Sequence, residues 1–499
     1  MPNRPNLLFL MPDQLRPDFL SCYGADFIET PHIDSLAARG IRFEKAYSTH
    51  PICVPARASL LTGMNAIRNG VTDNGQWLRP DLAECGIHTW PELLNRQGYY
   101  TAAIGKMHFY PWDIVHGFQY RVACEDKRWI RVRDDYQEFL HSRGLRKLHG
   151  NEHPDYHEGK GATVSPIPWD ASWDHFVGSE AVRFIDEYAA EGPFAAMVGF
   201  PGPHCPYDPT PEYLERIDPA AMPDPIPATN TPSGMIEGNV RGNLGEWNSV
   251  DYTEFNDDHK QKIRAHYAAL VKQIDDEIGD ILAALERNGQ LENTLIIFAS
   301  DHGDYLGDHG MIGKSSFYEA SCHVPLILAG PDVPAGKVCA TPVSLVDSFP
   351  SVLEAVGATP AAEDADLPGT SWWRIAQEPD RERTVFSEYH ALGTESGVYM
   401  LRNRRYKYIH YTHQQPQLFD LLADPDERND LSVSPEHRAV LAGLEAELRA
   451  LLDPEGVDAQ AKADQKAKVA SLGGEEALRQ RGSFENSPVP GEKPKFKLV

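Results

Sequence analysis

The sequence predicts an α/β fold with a large, mostly parallel central sheet flanked by helices, followed by a smaller α+β unit. Short apolar runs alternate with helical segments through the first 380 residues, as expected for parallel strands buried on both faces. The clearest helix, over residues 258–288, carries one apolar stripe spaced by three and four residues. After Pro379 the pattern changes to short runs typical of antiparallel strands.

The first predicted strand covers residues 7–11 and ends at Pro12, Asp13 and Gln14. A helix is expected between Thr30 and Gly40, because a cap residue and a proline open the segment and a glycine ends it. The remaining elements of this unit are strands at 41–47, 100–104, 194–200 and 294–299 and a helix at 90–97. In such a sheet, loops after the strands meet at one edge, so Asp13, His204 and Asp301 are expected to share a crevice.

The C-terminal part is predicted to contain antiparallel strands at 384–389, 397–402 and 405–411 and an amphipathic helix at 437–452. We therefore divide the chain into a catalytic domain (1–380), a C-terminal α+β subdomain (381–453) and an extended tail (454–499). The tail has few core-forming residues, which predicts a mobile segment or an oligomerisation arm in a homo-oligomer.

Composition excludes several classes of protein. With 499 residues, 41% of them hydrophobic and 24% charged, the chain resembles an ordinary globular protein, and its net charge of -26 disfavours nucleic-acid partners. We expect no membrane segment and a cytoplasmic location, because no apolar run has the length of a signal peptide or membrane helix. The seven scattered cysteines predict neither a disulfide framework nor a structural zinc site.

The segment from Cys53 to Gly63 has the strongest chemical pattern. Cys53 lies two residues before Pro55 and four before Arg57, so it is expected over a helix N-terminus, where anions are favoured. The alternative is a buried thiol near a surface arginine. A tyrosine-phosphatase-like loop fits less well, because it normally has five residues between cysteine and arginine, and this segment has three.

Asp13 and Asp301 each follow an apolar run, and they offer hard oxygen ligands to a divalent cation. Gln14 adds an amide oxygen and His302 a nitrogen, a set suited to Ca²⁺, Mg²⁺ or Mn²⁺. The alternative is that the two aspartates only cap the helices after their strands.

Five separated motifs resemble those of the type I sulfatases of the alkaline phosphatase superfamily, in which the motif cysteine is oxidised to formylglycine. They are the strand at 5–10 with its aspartate, the segment 30–36, the segment 53–63, Gly105-Lys106-Met107-His108, and Ser300-Asp301-His302-Gly303-Asp304. The resemblance implies an alkaline-phosphatase-like sandwich. Ala56 and Gln14, where many relatives have serine and aspartate, resemble the choline sulfatase and phosphonate monoester hydrolase branches.

The resemblance also implies the site residues. Asp13, Gln14, Asp301 and His302 would bind one divalent metal together with an oxygen of the modified Cys53. Calcium is the expected ion, and manganese and magnesium are the alternatives. The residues implied around the sulfate and the aldehyde hydrate are Arg57, Lys106, His108, His204 and Lys314.

The implied mechanism begins with the hydrated aldehyde of residue 53, one hydroxyl of which attacks sulfur with help from the metal and Asp301. His204 or Lys314 protonates the departing alcohol and leaves a sulfated hemiacetal. His108 then removes a proton from the second hydroxyl, so that sulfate is expelled and the aldehyde returns. A thiol or serine nucleophile lacks that second hydroxyl.

The sequence therefore predicts a sulfuric ester hydrolase, with an arylsulfatase or choline sulfatase as the nearest kind. The alternatives are a phosphonate monoester hydrolase or phosphodiesterase that uses the same site, and a catalytically silent metal-dependent binding protein. Expected partners are a small sulfate ester and a formylglycine-generating maturation enzyme. Specificity residues are expected in 112–173 and 210–256, where Trp112, Trp129 or Trp169 would stack on an aryl group or face a quaternary ammonium.

Overall fold

The computed structural model describes residues 4–74, 82, 86–109, 114–125, 130, 133–188, 191–229, 231–245, 248–471 and 473–477. Its strands are β1 (Asn6–Asp13), β2 (Gly40–Tyr47), β3 (Tyr100–Gly105), β4 (Tyr120–Ala123), β5 (Phe194–Pro203), β6 (Thr294–Ala299), β7 (His323–Ala329), β8 (Lys337–Cys339), β9 (Val343–Ser344), β10 (Val385–Tyr389), β11 (Val398–Arg402), β12 (Tyr406–Tyr411) and β13 (Gln417–Asp420).

The helices are α1 (Pro31–Arg39), α2 (Cys53–Thr62), α3 (Ala66–Asn69), α4 (Trp90–Arg96), α5 (Asp135–Ser142), α6 (Trp173–Tyr188), α7 (Pro211–Leu214), α8 (Ser233–Asn243), α9 (Asp257–Arg287), α10 (Glu319–Cys322), α11 (Ser348–Ala355), α12 (Trp372–Ile375), α13 (Arg438–Leu451) and α14 (Pro454–Ser471). The strands and helices predicted from the sequence are all present, with ends that differ by a few residues.

The central sheet has strand order β4-β3-β5-β1-β6-β7-β2-β8, and β9 also pairs with β2. Strand β1 lies between β5 and β6 and is parallel to both, so the ends of these three strands meet at one edge of the sheet. Strand β7 runs antiparallel to β6 and to β2. The chain leaves β6 through a loop that stays at the same edge and re-enters the sheet in the opposite direction. The predicted mostly parallel α/β fold is confirmed.

Two apolar layers cover the sheet, and β1 contributes alternate residues to each. Leu8 and Leu10 pack in the layer that contains α9 and α6. Leu7, Phe9 and Met11 pack in the layer that contains α2, α4 and α11. Both faces of β1 are therefore buried, which explains its continuous apolar sequence.

The C-terminal part forms an antiparallel sheet, β10-β11-β12-β13, against which α13 packs through Leu444 and Leu448. Strand β13 was not predicted, because only four residues form it. This sheet, together with the larger one, confirms the predicted combination of an α/β unit with a smaller α+β unit.

The predicted extended tail is wrong for residues 454–471, which form helix α14. The helix is anchored to the C-terminal sheet: Gly397 donates a backbone hydrogen bond to Asp458 (2.7 Å), and the Tyr399 hydroxyl donates to the Pro454 carbonyl (3.0 Å). These long-range contacts stabilise a helix whose sequence has few large apolar residues. Residues 478–499 lie outside the described part of the chain, and an oligomerisation arm there stays a prediction.

Two findings concern the part of the chain that the structure describes. None of its helices combines the length and the apolar character that a bilayer span requires. Six of the seven cysteines lie in the described ranges, and all six are free thiols.

Candidate active site

The candidate site lies at the edge of the sheet where β1, β3, β5 and β6 end. Asp13 is the last residue of β1, Lys106 follows β3, His204 follows β5, and Asp301 comes two residues after β6. All four side chains are buried. The structure thus brings Asp13, His204 and Asp301 to the same edge of the sheet.

Helix α2 brings Cys53 to this edge as its first residue, and every residue of the helix is buried. The thiol Sγ lies 3.1 Å from His302 Nε2 and 3.9 Å from Asp13 Oδ1. The other ring nitrogen of His302, Nδ1, lies 3.0 Å from the Gly303 carbonyl oxygen. A proton on Nδ1 makes that hydrogen bond, so Nε2 presents its lone pair to the site.

A possible metal site is formed by Asp13, Cys53, Asp301 and His302. One ligand atom from each lies within 4.8 Å of the others, and all four residues are buried. Two carboxylates and an oriented imidazole nitrogen fit a divalent cation, because carboxylate oxygens and imidazole nitrogens are ligands that such ions accept. The arrangement also fits the expected group at position 53, since the Cys53 side chain is directed at this centre.

Gln14, the fifth predicted ligand, lies beside these residues. Its backbone is left-handed (φ 70°), which directs its N–H to Asp301 Oδ1 at 3.0 Å. Its side-chain amide donates to Asp304, and its Oε1 accepts from Lys314 Nζ at 2.6 Å. The amide oxygen of Gln14 is therefore oriented by Asp304 and contacts the ammonium group of Lys314.

Arg57 connects the site residues. Its guanidinium donates to Asp301 Oδ2 (2.9 Å), to Asp13 Oδ2 (2.8 Å) and to the Lys106 carbonyl (2.6 Å). Burial lowers the pKa of Arg57, but the charges of Asp301 and Asp13 outweigh it and raise the pKa overall. Arg57 is therefore a permanent positive charge inside the site.

Positive charge surrounds the end of β1. Lys106 Nζ lies 3.1 Å from Asp13 Oδ2. Burial raises the pKa of Asp13, but the charges of Lys106, Arg57 and Lys314 together hold it well below its usual range. Asp13 is therefore an anion in a cation-rich pocket, where a second anion is also stabilised.

His204 and Lys314 are also brought together. Lys314 Nζ lies 2.7 Å from His204 Nε2, and His204 Nδ1 lies 2.7 Å from the Cys205 carbonyl oxygen. With its proton on Nδ1, the imidazole accepts a hydrogen bond from the lysine. The pair therefore holds an ammonium proton at the edge of the site.

His108 follows Lys106 by two residues and is buried, with a left-handed backbone (φ 59°). Its N–H donates to Glu125 Oε2 at 2.9 Å, and Glu125 also pairs with Arg121. Glu125 therefore fixes the loop that carries Lys106 and His108.

The sequence analysis missed Asp304 and Glu125 as supporting residues. Asp304 was noted only as part of the motif, yet it accepts from Gln14, from the Tyr207 hydroxyl (2.7 Å) and from Gly313 N (2.8 Å). Its acidic side chain, two residues after His302, was the available signal. No sequence signal connects Glu125 to His108.

Of the tryptophans predicted for substrate contacts, Trp112 and Trp129 lie outside the described residues. Trp169 packs against Tyr213, with ring centroids 4.5 Å apart, and against His175 at 5.1 Å. It is a packing residue in this structure.

Comparison with known proteins identifies the family. A family model named Sulfatase matches residues 5–358, which is more than half of the chain. The chain belongs to the sulfatase family. It is a sulfuric ester hydrolase. A second family model, which describes the C-terminal region of N-sulphoglucosamine sulphohydrolase, matches residues 307–453.

Relatives of this sulfatase include two bacterial enzymes. A choline-sulfatase of Rhizobium meliloti is 30% identical, with 93% of this chain and 90% of that protein covered. An arylsulfatase of Clostridium perfringens is 28% identical, with 87% and 92% covered. Among solved structures, phosphonate monoester hydrolase of Agrobacterium radiobacter is 25% identical with a TM-score of 0.75, covering 92% of this chain and 96% of that one.

Family membership bears on the cofactors. Sulfatases act with a metal ion and a formylglycine made from a cysteine, and this chain has a possible metal site that includes Cys53.

Proposed function

We propose that this sulfatase cleaves sulfate monoesters at the centre formed by Asp13, Cys53, Asp301 and His302, with Cys53 converted to formylglycine. The observation that carries the proposal is the meeting of these four ligand atoms within 4.8 Å, next to two buried cations, Arg57 and Lys106. A metal site, a nucleophile position and an anion-binding pocket thereby coincide.

Asp13, Gln14, Asp301 and His302 would hold the metal ion together with residue 53. When bound, a divalent cation promotes deprotonation of a coordinated hydroxyl and stabilises negative charge. Oxygen ligands favour Ca²⁺, whereas the nitrogen of His302 makes Mn²⁺ the main alternative. Metal analysis of purified protein tests this choice, with Asp13→Asn expected to lower the bound fraction.

Formylglycine supplies, as its hydrate, two hydroxyls on one carbon, one for attack on sulfur and one for release of sulfate. The N-terminal position of residue 53 on α2 places it where helix amides favour developing negative charge. Asp13 and His302 contact its side chain from two sides and orient it.

Arg57 and Lys106 would bind the non-bridging oxygens of the sulfate. Both contact Asp13 at the end of β1, so two positive charges lie beside the proposed position of the sulfate. Their charges counter the negative charge that builds up as the ester bond breaks.

Lys314 would protonate the leaving alcohol from Nζ. His204 Nε2 accepts one of the lysine protons, and its Nδ1 is oriented by the Cys205 carbonyl, so His204 holds the ammonium in place. His108 would accept the proton of the second hydroxyl, with Glu125 fixing its backbone.

Mass spectrometry of the peptide over residues 50–66, combined with an aryl sulfate assay, tests this function. We expect activity to follow the fraction of residue 53 present as aldehyde, and Cys53→Ala to remove it. Cys22→Ala, a half-buried thiol outside the site, is the matched control. Full activity in protein that contains only the free thiol would disprove the proposal. Conversion in turn implies a maturation enzyme in the source cell, which co-expression would supply.

A phosphonate monoester hydrolase is the second candidate, because a solved enzyme of that name shares the fold over 92% of this chain. The transition states of the two reactions are similar in geometry and differ in charge, and both would lie in the same pocket. Turnover of an aryl sulfate and an aryl phosphonate monoester by one preparation distinguishes them, and we expect the higher kcat/KM with the sulfate.

A further inference from the structure

A cavity of about 570 Å³ lies between α8, the loop after Lys314 and the C-terminal sheet. This volume is within the range of about 300–1,000 Å³ that is usual for small-molecule sites. Ser315 and Ser316, which directly follow Lys314, form part of its wall. The cavity therefore borders the chain segment that directly follows the proposed proton donor.

A second wall residue connects the cavity to the other side of the site. Tyr389, the last residue of β10, lines the cavity, and its ring centroid is 4.9 Å from that of His50. His50 is buried three residues before Cys53. The cavity is thus bounded by Ser315, which follows Lys314 in the chain, and by Tyr389, which packs against His50, three residues before Cys53.

Part of the wall is held rigidly. Asn239 of α8 donates to the Ile312 carbonyl (2.8 Å) and accepts from Ile312 N (3.0 Å). Gln417 accepts from the Tyr411 hydroxyl (2.8 Å) and donates to the Tyr318 hydroxyl (3.1 Å). These contacts fix polar groups before a ligand arrives, which lowers the entropy cost of binding.

The lining is polar and carries little charge. Its described residues include the amides of Gln414 and Gln415 and the hydroxyls of Ser233 and Thr394. Apart from tyrosines, the described lining has one ionisable side chain, that of Glu395. Amides and hydroxyls donate and accept, as hydroxyl groups of a ligand require. Glu395 is exposed and disfavours a second anionic group on the ligand.

We propose that this cavity binds the alcohol part of the sulfate ester and that this alcohol is neutral and polyhydroxylated, as in a sugar. The proposal rests on the proposed function, because it assigns the leaving group of that reaction. A quaternary ammonium would need open aromatic faces. Of the two tyrosines in the described lining, Tyr389 packs its ring against His50, with ring centroids 4.9 Å apart.

The sequence analysis placed specificity residues in 112–173 and 210–256. Helix α8 lies in the second of these ranges, but residues 389–417 belong to the C-terminal subdomain, to which no site role was assigned. The C-terminal sheet is then part of the substrate site, in addition to its role in folding.

A binding experiment tests the cavity separately from catalysis. Galactose 6-sulfate is titrated by calorimetry into the full-length, metal-loaded Cys53→Ala protein, which cannot turn it over. We expect binding, and about tenfold weaker binding when Gln414→Ala and Gln415→Ala are added, because two neutral hydrogen bonds are lost. Gln377→Ala, an exposed glutamine away from the cavity, is the matched control and should bind as the parent does.

A kinetic experiment uses the converted enzyme with four substrates: galactose 6-sulfate, a disulfated hexosamine, choline sulfate and 4-nitrophenyl sulfate. We expect the highest kcat/KM with galactose 6-sulfate, and a lower ratio of sugar to aryl turnover in the double glutamine variant. Glu395→Gln should raise the ratio of disulfated to monosulfated sugar turnover about twofold to fivefold.

The outcomes separate the two proposals. A preference for choline sulfate or the aryl ester, or unchanged sugar binding in the double variant, would overturn the assignment of the cavity and leave the sulfatase function intact. Sugar sulfate binding without turnover of any ester by fully converted enzyme would overturn the proposed function and leave the cavity assignment standing.

Discussion

The active site and the cluster around Lys407 are both buried groups of charged side chains, and they differ in how their charges are balanced. In the active site, Asp13 contacts two cations, Arg57 and Lys106, and a third cation, Lys314, lies against Gln14. Lys407, on β12, lies 2.7 Å from Glu319 and 2.7 Å from Glu427, so one cation meets two carboxyls.

The active site has an excess of positive charge, whereas the cluster around Lys407 has an excess of carboxyl groups. The two excesses have different consequences. The cation-rich site is completed by an anionic substrate, whereas the carboxyl-rich cluster is balanced by retaining a proton. Burial raises the pKa of Glu427 from 4.5 to about 7, although Lys407 lowers it. Burial also raises the pKa of Glu319, but Lys407 lowers it more, to about 2. We propose that the first cluster binds substrate, whereas the contacts of Lys407 with Glu319 join the two units of the fold.

The largest effect is expected for Arg57→Ala. Removing the guanidinium takes away a donor to the sulfate and leaves Asp13 and Asp301 with one fewer cation, so kcat/KM should fall at least about a thousandfold. Steady-state kinetics with an aryl sulfate measures this loss. Arg68→Ala, which breaks the exposed pair with Asp366, is the control and should retain activity. A loss below about tenfold would contradict the assigned role.

Lys407→Met is expected to act on stability instead. It leaves the buried carboxyl of Glu427 and the partly buried carboxyl of Glu319 without their cation, which should cost about 3 kcal/mol in the free energy of unfolding. Urea unfolding measures the change, with Lys466→Met at an exposed position of α14 as the control. Equal free energies of unfolding for the two variants would show that the cluster around Lys407 does not stabilise the fold more than an exposed lysine does.

Asp304→Asn should have an intermediate effect on catalysis. The substitution weakens the contact that orients the Gln14 amide, so we expect metal affinity or kcat/KM to fall about tenfold to a hundredfold. Metal titration and kinetics on the same preparation measure both. Asp224→Asn, at an exposed position, should change neither. Unchanged metal binding and turnover would remove Asp304 from the supporting residues.

The smallest effect is a change in pH dependence. Because the folded protein binds the Glu427 proton more tightly than the unfolded chain, this group contributes stability below pH 4.5 that is lost as pH rises through about 7. Glu427→Gln keeps the neutral form, so its free energy of unfolding should lack this fall between pH 4.5 and about 7. Urea titrations at several pH values measure the free energy of unfolding of the two proteins. The same dependence of that free energy on pH in both proteins would contradict the interpretation.

Much of the fold and the placement of the site residues was predictable, because both depend on local patterns. The apolar runs before Asp13 and Asp301 identify buried strands, and parallel strands bring their ends together. Contacts over long sequence distances were not predictable. The contact of Gln14 with Asp304 spans 290 residues, and Glu319 meets Lys407 only through the fold. Helix α14 was not predicted for the same reason, because the residues that anchor it are distant in sequence: Gly397 directly precedes β11, and Tyr399 lies on β11.

The position of β1 between β5 and β6 has a consequence for dynamics. Backbone amides of a central strand exchange with solvent only when a large part of a domain opens, whereas loops open locally at little cost. The end of β1 should therefore be among the slowest-exchanging parts of the molecule, while the turn at Gln414 and Gln415 exchanges quickly. Loops around the cavity could then diversify in sequence without loosening the residues that perform the chemistry.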